Sequence, residues 1–201
     1  MADRGLRPAP VTGHTAQMSV TLRVAGAASG PELELRCWRL DDVPALLDAH
    51  RDPGLRSRAR QPLTTPAEAR RWIDGNRQAW AAGRSFSFAV CQPEAGGHRL
   101  VACVVLKNVL PGRPHAEVGY WTAAAARGRG VAPRALTAVT DWAFTRFAAT
   151  GLSHLELLHQ VDNPASCRVA EKTGYDFVEV LPARPPFPLD GHRHVRRFSP
   201  R

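Results

Sequence analysis

The run Arg127-Gly128-Arg129-Gly130-Val131-Ala132 constrains this chain more than any other, because it joins a strand pattern to a helix pattern through two glycines. Upstream, residues 115–122 have the aromatic and small-residue pattern of a strand. Downstream, residues 131–148 place Ala132, Leu136, Val139 and Ala143 on one apolar stripe at helical spacing. At such a junction the first helical N–H groups have no carbonyl partner, the helix dipole adds positive potential, and glycine lets oxygens approach closely. A phosphate fits this arrangement, and so does a tight turn with no ligand. The run has neither the GxGxxG spacing nor the Lys-Ser/Thr ending of the common nucleotide loops.

The flanking chain supplies a set of α/β elements. Residues 1–30 are rich in Gly, Ala and Pro without periodicity and read as a disordered leader, which leaves residues 31–201 as the folded domain. Residues 32–40 alternate, with Leu33, Leu35 and Cys37 on one side of a strand. Asp41 and Asp42 open a short helix that ends near Pro53-Gly54. Thr65-Pro66-Ala67-Glu68 has the spacing of a capping box for a helix to about residue 82.

Residues 86–91 and 100–109 form a hairpin across Gly96-Gly97, and residues 115–122 a further strand. After the helix at 131–148, residues 155–160 read as a strand and Asn163-Pro164 starts a helix to Thr173, stopped by Gly174. Residues 175–181 and 193–198 are strands, the last expected at an edge. The order βααβββαβαββ predicts a mixed three-layer α/β domain without an internal repeat.

Composition narrows the function classes less sharply. Apolar residues make up 44% and charged residues 22%, ordinary globular usage. The net charge of +9 comes from 27 basic against 18 acidic residues, and only Lys107 and Lys172 among the basic ones are Lys. A bias toward Arg raises the charge without any partner; a basic field also attracts a polyphosphate cofactor or a nucleic acid. The cysteines at 37, 91, 103 and 167 contain no CxxC pair, which argues against a zinc site or a redox motif, so no metal is expected. With no apolar run of ~18–20 residues, the chain predicts no membrane span and a cytoplasmic location.

Taken with Glu117-Val118-Gly119-Tyr120-Trp121, Asn163-Pro164-Ala165-Ser166 and Glu171-Lys172-Thr173-Gly174-Tyr175, the Arg-x-x-Gly-x-Ala spacing from Arg127 resembles the GNAT superfamily of N-acetyltransferases, and within it the RimJ/RimL-like branch. The likeness covers roughly residues 33–198. It implies a GNAT-type three-layer α/β/α fold with a mixed, mostly antiparallel sheet splayed at the cofactor site. It also implies acetyl-CoA as cofactor, its pyrophosphate on the backbone of Arg127, Gly128, Arg129, Gly130, Val131 and Ala132. The pantetheine arm would lie along the strand ending at Trp121-Thr122, between two parallel strands diverging near Tyr120 and Leu157, with Asn163 on the other side.

Acyl transfer to an amine needs a neutral nucleophile, an oxyanion site and a proton for the departing thiolate. The resemblance assigns Glu117 as the base acting through water, and a main-chain N–H near Trp121 or Thr122 to the oxyanion. Many GNAT enzymes carry a Tyr seven residues after the Asn as acid, but Ala170 stands there in this chain. Ser166 is the substitute that the RimJ/RimL-like branch suggests, and Leu158 replaces a carboxylate found in some members, with Glu156 and His159 nearby.

Each residue also has a plainer reading: Asn163 and Ser166 as helix caps, Arg127 and Arg129 as surface charges, Lys172 as a helix-end charge, Glu117 as half of an ion pair, His159 as a packing residue. Three functions follow in order. The first is transfer of an acetyl group from acetyl-CoA to a primary amine, on a protein N-terminus or a small molecule. The second is a non-catalytic CoA-binding module, and the third, well behind, a nucleic-acid binder. Residues 41–82 and the loop at 56–65 are expected to border the acceptor cleft. A homodimer is compatible with the resemblance.

Overall fold

The computed structural model describes residues 20–26, 30–58 and 61–199. Its strands are β1 (Thr21–Val24), β2 (Leu33–Cys37), β3 (Ser85–Glu94), β4 (Gly97–Lys107), β5 (His115–Thr122), β6 (His154–Gln160), β7 (Asp176–Leu181) and β8 (Gly191–Arg197). Its helices are α1 (Val43–Ala49), α2 (Pro53–Arg56), α3 (Pro66–Ala81), α4 (Val131–Phe147) and α5 (Pro164–Lys172). The strands form one eight-stranded sheet in the order β1-β2-β3-β4-β5-β6-β8-β7. Only β5 and β6 run parallel; all other neighbours are antiparallel.

Strand alternation sorts side chains into two cores, as the period of two requires. Phe86, Phe88 and Val90 of β3 enter one core with Leu136, Val139 and Ala143 of α4 and Ala170 of α5. Ala89 and Cys91 enter the other with Leu46 of α1 and Ile73 of α3. The sheet is thus a middle layer between α1 with α3 and α4 with α5. At the end of α3, Trp80 meets the rings of Phe86 and Phe88 edge-on at 5.2 and 4.8 Å, a geometry that adds about 0.5–1.5 kcal/mol per pair beyond area burial.

The helix starts follow their local chemistry. Thr65 Oγ1 accepts the Glu68 N–H at 3.2 Å, while the Glu68 carboxylate accepts the N–H groups of Thr64 and Thr65 at 2.8 and 3.0 Å. Asn163 Oδ1 accepts the Ser166 N–H at 3.3 Å and Pro164 takes the first turn of α5. By contrast α4 begins at Gly130, which has no side chain and sits at φ 70°.

Three boundaries differ from the sequence expectation. The leader does not extend to residue 30: Thr21–Val24 pairs with β2, and Val20, Leu22 and Val24 pack against the larger core. Residues 1–19 and 27–29 lie outside the described residues. The first helix ends at Ala49, because Asp52 accepts the Leu55 N–H at 2.9 Å and Pro53 begins α2. The last strand, β8, is interior, lying between β6 and β7 with β7 at the edge.

Asp42 does more than begin a helix. Its two oxygens accept both terminal nitrogens of Arg36 at 2.7 and 2.8 Å, and one also accepts the Arg39 N–H at 2.8 Å. Both side chains are buried, and the hydrogen bond from Asp42 holds the Arg36 pKa above its ordinary value.

Candidate active site

The sheet opens where its two parallel strands part. The β5–β6 register runs from His115↔His154 to Val118↔Leu157 and stops there. Beyond that point β5 stays with β4 as far as Ala102↔Thr122, and β6 stays with β8 as far as Gln160↔Gly191. The last residues of β5 therefore turn one row of main-chain groups toward a gap, the edge along which an extended amide-bearing chain can pair.

A cleft of about 960 Å³ occupies this gap, at the upper end of the range for small-molecule sites. One end is walled by Gly128, Gly130, Val131 and Ala132, the turn into α4. Gly128 and Gly130 both have left-handed φ, 74° and 70°, a conformation that costs other residues about 1–2 kcal/mol. Pro133 at the third helical position has no N–H, so the N–H groups left without a helical carbonyl at this end belong to the two residues before it and to the turn itself. Arg168 and Lys172 of α5 and Arg58 after α2 add positive charge along the same cleft.

The arginines of the motif separate. Arg127 lines the cleft, but its guanidinium binds the Asp52 carboxylate and donates to the Thr122 carbonyl at 3.2 Å. That contact holds the Asp52 pKa below the usual carboxylate range. Arg129 does not line the main cleft and borders a neighbouring one with Gly30, Pro31, Arg134 and Lys172. Arg134 donates to the carbonyls of Ala25 and Pro31, tying the connection between β1 and β2 to α4.

At the middle of the cleft, Tyr120 Oη donates to Ser166 Oγ at 3.1 Å. Ser166 is buried on the first turn of α5, where Asn163 fixes its main chain. Burial raises the Tyr120 pKa, partly offset by the bond to Ser166, so the phenol stays protonated through the neutral range. Trp121 and Thr122 line the cleft, as do Asn163 and Ser166. The sequence expectation for the acid is Ser166, since Ala170 stands where many relatives carry a Tyr, and Tyr120 enters it only as the place where the strands diverge. Ala170 is fully buried in the core, and a phenol reaches Ser166 from β5 instead.

The cleft is also lined by His50, Leu55, Arg58, Gln61 and Trp72, from the region expected to border the acceptor, and by Trp121 of β5. His50 Nδ1 accepts the Leu63 N–H at 3.3 Å, so the neutral ring carries its proton on Nε2. Burial, reinforced by Arg56, lowers the His50 pKa and keeps it neutral.

Glu117 is not brought into this cleft. It sits within the paired part of β5, where Lys107 Nζ lies 2.6 Å from Oε1 and Asn108 Nδ2 donates to Oε2 at 3.4 Å. Alternation puts it on the same face as Trp121, with Gly119 between them. Glu156, its neighbour on β6, is bound by Arg193 at 2.6 Å. His159 does not line the cleft; its Nε2 lies 3.2 Å from His194 Nε2 of β8 and 3.5 Å from Cys167 Sγ of α5.

No helix among the described residues is long and apolar enough to cross a membrane. Comparison with curated proteins found no match. Among solved structures, a protein of Vibrio cholerae assigned as a ribosomal-protein-serine acetyltransferase is similar at TM-score 0.76 and 21% identity, covering 90% of this chain and 99% of that one. Mycobacterium smegmatis RimJ, in complex with a CoA disulfide, aligns at TM-score 0.72 and 22% identity over 89% of this chain and 86% of that one. Spermidine N-acetyltransferase from Vibrio cholerae, bound to CoA and spermine, aligns at 0.69 and 18% over 82% and 95%. Residues 32–176 match the acetyltransferase (GNAT) domain family, and the splayed parallel strands, glycine turn and α5 cap all lie within or beside that span: the chain belongs to the GNAT acetyltransferases.

Proposed function

We propose that this cleft moves an acetyl group from acetyl-CoA to the primary amine of a protein N-terminus or a small molecule, by direct attack, in the cytoplasm. The observation that carries the reading is the end of the β5–β6 ladder at Val118↔Leu157, with the glycine turn into α4 and the Tyr120–Ser166 pair lining the cleft that opens there. Main-chain N–H groups between Gly128 and Ala132 bind the diphosphate, with Arg168 and Lys172 in support. The pantetheine arm lies along β5 opposite Asn163, and a main-chain N–H at Trp121 or Thr122 meets the carbonyl oxygen as it becomes an oxyanion.

The amine nitrogen bonds to the thioester carbon to give the oxyanion, whose collapse breaks the C–S bond. The thiolate takes the proton of Ser166 Oγ, which Tyr120 Oη replaces, and the proton shed by the acylated nitrogen restores the phenol through water. Glu117 accepts the ammonium proton through water running past Gly119, which offers no side chain to block that face. At the acceptor end Gln61 and Arg58 supply donors, Arg58 also lying 3.4 Å from the Asp162 carboxylate, and no carboxylate is among the described residues lining the cleft itself. An amine followed by carbonyl or carboxylate groups, as in a peptide N-terminus or an amino acid, suits this wall better than a polycation does.

The test is thiol release from acetyl-CoA with a panel of short peptides, amino acids and polyamines, products confirmed by mass. Acetylated peptide or amino acid is the expected product. Tight CoA binding with no transfer to any amine would refute catalysis, and a preference for spermidine would refute the acceptor class.

A further inference from the structure

Behind Ser166, on the far side of α5 from the cleft, four metal-ligating side chains converge. Cys167 Sγ lies 3.5 Å from His159 Nε2 and 3.2 Å from His192 Nδ1, and His159 Nε2 lies 3.2 Å from His194 Nε2. All four donor atoms fall within 4.8 Å of one another. We propose that these residues form a structural Zn(II) site of one thiolate and three imidazoles.

The backbone imposes this meeting. His192 and His194 are two apart on β8 and so share a face. His159 of β6 is directly opposite His192, and His194 is opposite Leu157, two residues before His159. All three rings therefore rise on the face that α5 covers, and α5 begins only a short turn after β6 ends. Cys167, on the first turns of that helix, closes the fourth corner.

The spacing suits zinc. Zn–N bonds of about 2.0–2.1 Å and Zn–S bonds of about 2.3 Å at tetrahedral angles place nitrogens about 3.3 Å apart and nitrogen about 3.6 Å from sulfur. The three contacts above, of the six donor pairs, lie within about 0.4 Å of those values, and the other three pairs lie within 4.8 Å. The donor orientation agrees too. His159 Nδ1 lies 2.9 Å from the Gln160 carbonyl, which can only accept, so Nδ1 carries the proton and Nε2 presents its lone pair to the cluster. A backbone carbonyl on the second nitrogen is the usual way a zinc histidine is oriented.

Phe177, itself half exposed, flanks the site, its ring 5.3 and 5.6 Å from those of His192 and His194. Four protein donors leave no open position, the mark of a structural rather than a catalytic zinc. Such a metal would clamp α5 onto β6 and β8, and Cys167 adjoins Ser166, so the clamp would fix the serine that faces Tyr120. Binding exchanges the thiol proton for the metal and involves no redox change.

Metal analysis of the full chain, purified without chelator and dialysed, should find one zinc per chain. Cobalt(II) added to the metal-free protein should give the ligand-field bands of a tetrahedral site and a thiolate-to-cobalt charge-transfer band. Cys167→Ala should abolish the charge-transfer band, and His192→Ala should weaken zinc affinity by ~100-fold or more, both judged in samples with native circular dichroism. A wild-type protein that shows no thiolate band with cobalt and retains no zinc would overturn the site however the variants fold. So would an unchanged band in folded Cys167→Ala, or copper or nickel in place of zinc. Failure of acetyl transfer would leave these readouts intact, so the two proposals stand or fall separately.

Discussion

Tyr120 Oη donates to Ser166 Oγ at 3.1 Å across the opening between β5 and α5, so one hydrogen bond joins a strand and a helix from opposite sides of the gap, the pair proposed above to carry the acid proton. Removing either end should interrupt it. Tyr120→Phe and Ser166→Ala are each expected to lower kcat about 10²–10⁴-fold, the usual worth of a general acid, with CoA affinity by calorimetry unchanged. The double variant should fall little below the worse single, as expected of residues acting as one unit. Additive losses would show that the two hydroxyls act independently.

The activity profile should follow from the same pair. Burial raises the Tyr120 pKa above its ordinary value, partly offset by the bond to Ser166, so the phenol stays protonated through the neutral range. Turnover should therefore rise as the acceptor amine loses its proton, with no decline setting in near neutral pH. A decline setting in near neutral pH would assign the acid to another group.

Glu117 is tied to Lys107 at 2.6 Å rather than free in the cleft. If it still relays the ammonium proton, Glu117→Gln should cost most at low pH and progressively less as pH approaches the pKa of the acceptor, about 7.7–8.0 for an α-amine. Steady-state kinetics across that range measure this. A loss independent of pH would make Glu117 a structural partner of Lys107.

Gly128 has open space where a Cβ would go, yet its φ of 74° is one that β-branched residues avoid. Gly128→Val should therefore lose about 1–2 kcal/mol of stability from backbone strain and weaken CoA binding at least tenfold by moving the N–H groups. Calorimetric titration and thermal unfolding read the two effects separately. Intact CoA affinity would remove this turn from the diphosphate site.

The Arg36–Asp42 pair predicts a stability effect far from the chemistry. Asp42→Ala would leave a buried guanidinium without its partner, and should cost about 3–5 kcal/mol in denaturant unfolding. A change below about 1 kcal/mol would mean that water reaches Arg36 in the variant.

Local signals in the chain determined most elements and their kinds, because caps and periodicity act over a few residues. Thr65-Pro66-Ala67-Glu68, Asn163-Pro164 and the stripe through Leu136, Val139 and Ala143 each mark a helix without help from distant parts. The glycines at 128 and 130 marked the turn into α4 for the same reason, and Asn163 and Ser166, named from the resemblance, line the cleft.

Tertiary structure decided which distant residues meet. Nothing in the spacing of Tyr120 and Ser166 announces their hydrogen bond, which exists because β5 leaves β6 at Val118. The rejection of zinc from missing CxxC pairs relied on ligands close in sequence, whereas His159, Cys167, His192 and His194 are gathered by β8 inserting between β6 and β7. The inner place of β8, the early start of the sheet at Thr21 and the capture of Glu117 by Lys107 have one physical origin. Strand order and register are set by how whole surfaces bury one another, and a local window of residues carries no record of that choice.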